Sequence, residues 1–106
     1  MKNVIIDSDV CNEIDDPFAI AYALTSKKLN VLAITIAPFT LTRKCISVFD
    51  GVMDSYNEAC RVARLSGKKD VKVFKGALDF VDNGNLKENP ATENMFTLAQ
   101  KHKKRM

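Results

Sequence analysis

Val4-Ile5-Ile6-Asp7-Ser8-Asp9-Val10-Cys11-Asn12-Glu13-Ile14-Asp15-Asp16-Pro17-Phe18-Ala19-Ile20-Ala21-Tyr22-Ala23-Leu24 is the stretch on which the fold turns. A short β-branched run stops at alternating carboxylates, and an apolar helical pattern begins directly behind Pro17. The order is that of strand, acidic loop and helix. Five acids fall within ten residues here, and no Lys or Arg interrupts from Asn3 to Ser26. Two such charges about 4 Å apart repel by roughly 1 kcal/mol in water and roughly 4 kcal/mol at the effective dielectric of a protein surface. The start of a helix offsets only about half a charge. A hard cation would offset the rest. Closely spaced Asp oxygens suit calcium or magnesium and disfavour the metals that imidazole and thiolate attract. Asp16 ahead of Pro17 also fits a helix N-cap followed by proline at the first helical position, with no metal involved.

Outward from this stretch, the first helix is expected from Pro17 to about Ser26. Its near-continuous Phe18 to Leu24 run predicts burial on most sides. Asn30 to Ala37 reads as a second strand, apolar enough to be parallel and covered on both faces, so that strand, helix and strand form a βαβ unit. Pro38 to Thr42 leaves it at the edge where open α/β sheets bind ligands. A second helix, 43–66, is expected to turn Ile46, Phe49, Met53, Tyr56, Cys60 and Ala63 inward, with Gly67 ending it. Val71 to Phe74 reads as a third strand, 79–89 as loop, and Asn89-Pro90 as the opening of a last short helix. The fold class is therefore α/β, an open and mainly parallel Rossmann-like sheet with flanking helices. The 106 residues fit a single α/β domain or part of one.

Composition narrows the function classes. With 46% hydrophobic and 27% charged residues the chain is globular in type. No apolar run is long enough to span a membrane, and the early acids break any secretion signal, so a cytoplasmic location is expected. The net charge is +3, and Lys101, Lys103, Lys104 and Arg105 in the basic 101–106 tail contribute four positive charges, so the remainder carries −1. That tail lacks the interleaved aromatics of a nucleic-acid surface, and no nucleic-acid partner is expected. Three widely spaced cysteines and one histidine argue for reduced thiols over a disulfide framework or a zinc site. No GxGxxG or Walker pattern occurs.

Taken together, Val4-Ile5-Ile6-Asp7-Ser8-Asp9, Asp15-Asp16, Ala19-Ile20, Val31-Leu32-Ala33-Ile34-Thr35 and Val73-Phe74-Lys75-Gly76-Ala77 resemble, in order, the N-terminal part of the inosine-uridine-preferring nucleoside hydrolase family. The resemblance implies hydrolysis of the N-glycosidic bond of ribonucleosides to ribose and free base through a calcium-activated water, with magnesium as a possible substitute. By position, Asp9 looks like the calcium ligand that also takes the proton from the attacking water, and Asp16 like a further calcium ligand. Asp15 matches the carboxylate that holds the ribose hydroxyls, Thr40 stands where many members carry a sugar-binding Asn, and Asp7 looks like a supporting acid. The segment Val10 to Ile14 replaces the tight proline and glycine pair common in the family. Family members are much longer, so the expectation is a divergent N-terminal segment holding part of the site, self-associating through uncovered sheet edge and helix face. The alternative is a non-catalytic metal-binding or oligomerising α/β module. A magnesium phosphatase with Asp7 as nucleophile and Asp9 as acid would need a later Lys and acidic pair at strand ends, which the sequence does not offer convincingly.

Overall fold

The computed structural model describes residues 1–11, 15–39, 47–78 and 88–102. Its elements alternate: β1 (Lys2–Ser8), α1 (Asp15–Thr25), β2 (Leu29–Ile36), α2 (Val48–Leu65), β3 (Lys72–Lys75) and α3 (Pro90–Lys101). The three strands form one sheet in the order β1-β2-β3, and both neighbouring pairs are parallel. This is the open parallel α/β architecture that the sequence predicts.

Side chains alternate across the sheet, and each face has its own cover. Ile6, Ile34, Ile36 and Val73 join Ile20, Leu24, Val52, Ala59, Val62 and Ala63 in the main core beneath α1 and α2. α1 and α2 also touch one another. The opposite face, which carries Ala33 and Thr35, meets α3 where that helix lies on β2 and β3. Asn3 on this face stands 3.4 Å, Nδ2 to Nδ1, from His102 at the end of α3. Between Val4 and Ile5 the register slips by one residue, with Val4 opposite Val31 and Ile5 opposite Ala33. Beyond the slip Asp7 lies level with Thr35 and Ser8 with Ile36.

Helix ends follow from local chemistry. Ser47 caps α2, its side chain accepting from the Asp50 N–H at 3.1 Å, and Asn89 caps α3 by accepting from the Thr92 N–H at 3.0 Å with Pro90 directly behind it. α2 closes through two bonds, Lys68 N–H to the Ala63 carbonyl and Gly67 N–H to the Arg64 carbonyl, with Gly67 at φ +74. That positive φ is the left-handed turn expected of Gly67.

Three local expectations are corrected. α1 is not covered on most sides: only Ile20 and Leu24 are buried, while Phe18 and Tyr22 are 71% and 78% exposed. An apolar run marks a helix without marking its inner face, and here Ile20 and Leu24, four residues apart, take that face. Asp16 is not the N-cap either, because α1 already begins at Asp15 and both acids lie in its first turn. In α2 the deeply buried stripe is Gly51, Val52, Ser55, Ala59, Val62 and Ala63, and of the expected stripe only Ala63 belongs to it. Small residues let the helix approach closely, as where Gly51 lies against the Phe39 ring. Met53, Tyr56 and Cys60 are half-buried, Tyr56 packing against the main core as expected, and Phe49 is exposed. The expected positions 43–46 of this helix, the 79–87 part of the expected loop and 103–106 of the basic tail lie outside the described residues.

Candidate functional site

β1 ends at Ser8, so Asp7-Ser8-Asp9 straddles the carboxyl edge of the sheet, and the chain turns there toward α1. Asp7 and Ser8 are neighbours on one strand and therefore point to opposite faces. The Asp7 carboxylate accepts a 2.7 Å hydrogen bond from the Thr35 hydroxyl on the α3 side. Ser8 points the other way, and its hydroxyl donates to Oδ2 of Asp16 at 2.7 Å. The structure thus places Asp7 and Asp16 on different sides of the sheet. Asp15 is exposed in the first turn of α1, and Asp9 is half-buried beyond the strand end. Glu13 and Thr40 lie outside the described residues.

The turn after Asp9 is fastened to the core. Val10 is fully buried among Ile20, Ile34, Ile36 and Val52. The next residue, Cys11, donates its backbone N–H at 3.0 Å to the hydroxyl of Ser55 on α2, itself fully buried. Sequence reasoning missed both supports. The available signals were a Val inside an acidic loop and a lone hydroxyl among the small residues of α2.

Beside these groups is a shallow concavity of about 330 Å³ lined by Ile6, Asp7, Ser8, Asp16, Ala19, Ile20 and Ala23. Its lining combines apolar Ile6, Ala19, Ile20 and Ala23 with polar Asp7, Ser8 and Asp16, a composition suited to a small polar ligand. Hard carboxylate oxygens fit calcium or magnesium in kind. Among the described residues, no group of three or more His, Cys, Asp or Glu side chains is placed to hold a metal ion. Asp9 and Asp16 could supply part of a calcium shell, which takes six to eight oxygens.

A second polar cluster lies on α2 and β3. The Lys75 ammonium sits 4.8 Å from the centre of the Tyr56 ring. The Tyr56 phenol is held above its ordinary value of 10.0, first by the charge of the nearby Cys60 thiolate, then by burial and a hydrogen bond with Cys60. Among the described residues no helix is long and apolar enough to cross a membrane.

The architecture has a counterpart among solved structures. A plant nucleoside hydrolase, the PpNRh1 enzyme, superposes with a TM-score of 0.59 at 29% sequence identity, over 83% of this chain and 24% of that one. The fold is nucleoside hydrolase-like. The chain spans about a quarter of the length of that nucleoside hydrolase. No protein-family model and no curated protein matches the chain.

Proposed function

We propose that the acidic turn belongs to a site that hydrolyses the N-glycosidic bond of ribonucleosides, with inosine and uridine as the first substrates to try. The observation that carries this reading is the Asp7-Ser8-Asp9 turn at the carboxyl end of β1, joined to Asp16 at the start of α1 on a nucleoside hydrolase-like fold. Asp9 takes the proton from the attacking water. Asp16 and Asp9 hold the cation, and Asp15, exposed at the start of α1, accepts hydrogen bonds from the ribose hydroxyls. Calcium, when bound, would supply the positive charge that makes a nearby water more acidic. The same carboxylates favour the positive charge that develops on the sugar as the glycosidic bond breaks. Asp7, held by Thr35 across the sheet, supports the strand end and not the cation.

The test incubates the full-length gene product with inosine or uridine and measures reducing sugar in calcium and in excess chelator. Calcium-dependent ribose release, abolished in Asp9→Ala, is the expected result. Absence of release in both conditions overturns the enzymatic reading. A non-catalytic, self-associating α/β module is the second reading, favoured by the exposed Phe18 and Tyr22 of α1.

A further inference from the structure

We infer that the concavity at the amino edge of the sheet binds a small phosphomonoester with an apolar body. The inference is independent of the proposed hydrolysis. Leu29 opens β2 and Lys72 opens β3, so the connections from α1 and α2 both reach the sheet at this edge. The acidic turn lies at the other end of the strands, and the eight residues of β2 separate the two regions by roughly 25 Å. Between the connections lies a concavity of about 430 Å³, a volume in the range of small-molecule sites.

Two kinds of side chain line it. Leu24, Leu29, Val31 and Val71 supply apolar surface, while Lys27 from one connection and Lys68 from the other supply cations. Among the described residues no Asp or Glu lines the concavity, and Asp70, the acid nearest in sequence, is exposed outside it. Neither lysine forms an ion pair or a side-chain hydrogen bond among the described residues. Exposed Lys28 and Lys69 stand next to them in sequence, so positive charge collects at this edge.

The usual duty of lysines behind a helix is to meet its last carbonyls. Here other donors hold much of that role. The Thr25 hydroxyl bonds the Ala21 and Tyr22 carbonyls at 2.9 and 3.2 Å, and the N–H groups of Ser66, Gly67 and Lys68 bond those of Val62, Arg64 and Ala63. The turn carbonyls of Lys28 and Lys68 accept from the N–H groups of Lys2 and Val71. The two ammonium groups are thereby left for an outside anion. A phosphate dianion offers each of them an oxygen, since lysine binds phosphate as a point charge, and the aliphatic lining takes an apolar body. The charges sit around a hollow and not along a stripe, which fits a small molecule in preference to a nucleic acid.

The experiment titrates the full-length gene product with phenyl phosphate by calorimetry and follows its backbone amides by NMR, with phenol and inorganic phosphate as the separate halves of the ligand. Phenyl phosphate should bind more tightly than either half and shift the amides of Lys27 and Lys68. Lys27→Gln and Lys68→Gln should each weaken it about three- to tenfold, whereas Lys101→Gln on α3 should leave it within about twofold. Lys27→Met and Lys68→Met, which keep an aliphatic stem, take the place of any variant that loses the wild-type circular dichroism. Vesicles of four parts phosphatidylcholine to one part phosphatidic acid separate a lipid headgroup from a free phosphomonoester, and the protein should not sediment with them. Absence of heat and of amide shifts with phenyl phosphate, equal binding of phenol or of inorganic phosphate, undiminished affinity once both lysines are replaced, or sedimentation with the vesicles overturns the inference.

Discussion

Gly76 follows β3, and its N–H donates to the Ile36 carbonyl at 2.8 Å, carrying the β2–β3 ladder one step past the strand. A Cβ at this position would overlap that same carbonyl oxygen and would lie 3.8 Å from the Ala91 Cβ of α3. The obstacle is backbone, which cannot rotate aside, so Gly76→Ala must push the chain off β2 and break the bond. Leaving a buried peptide group unpaired costs about 1–3 kcal/mol. Forcing a methyl into a filled space costs about 1–3 kcal/mol more. A loss of about 3 kcal/mol is therefore expected, a large share of the roughly 5–15 kcal/mol that holds a domain of ordinary stability together. Urea unfolding followed by circular dichroism reads it directly. With a slope of about 2 kcal/mol per molar, the midpoint should fall by about 1.5 M. Gly67→Ala is the internal comparison, because nothing lies within 4 Å of the added methyl and only the φ of +74 resists it. Left-handed strain of that kind costs about 1–2 kcal/mol. A Gly76→Ala midpoint within about 0.3 M of wild type, or a larger loss at Gly67 than at Gly76, would show that the close approach of the strand end to Ile36 is not what demands glycine.

Ser55→Ala removes the acceptor of the Cys11 N–H and should cost about 1–3 kcal/mol in the same assay, with the Cys11 amide exchanging faster in deuterium. In a Tyr22→Phe background, phenolate absorbance near 295 nm reports Tyr56 alone, and its midpoint should lie above 10.0 and move down in Cys60→Ser. Because the folded-state value is raised, the unfolded chain gives up this proton first. The contribution to stability is complete below 10.0 and disappears as pH rises through the folded value. Replacing exposed Phe18 and Tyr22 together by Glu and Lys should abolish concentration-dependent self-association in light scattering and leave the free energy of unfolding within about 0.5 kcal/mol of wild type. An unchanged association profile would remove α1 from the interface.

The elements were legible because their signals are local. Val31 to Ile36 has the continuous apolar character of a strand buried on both faces, and the structure makes it the central strand. Gly67 and Asn89-Pro90 mark helix ends through backbone conformations and caps that those residue types favour. Side-chain destinations were harder. Phe18 and Tyr22 belong to an apolar helix, yet which arc of it meets the sheet is settled by contacts that no single helix encodes. On α2 the large side chains suggested one inner face, and the need for close approach selected Gly51, Ser55 and Ala59 instead. In the acidic motif the split between Asp7 and Asp16 follows from strand alternation once β1 is known to reach Ser8. Thr35 as the partner of Asp7 could not be read in the same way, because it depends on a one-residue slip in the β1–β2 register.

Val10, fully buried in the main cluster, lies two positions from Ser8 and directly beside Asp9. Asp9 is therefore tethered to a residue of the buried core, and local fraying there should not release it ahead of the core itself. One consequence concerns redesign. Lengthening the chain between Asp9 and Val10 would withdraw an aliphatic anchor from the interior along with shifting a carboxylate, so the acidic turn cannot be exchanged as a surface cassette without recutting the helix and strands beneath it.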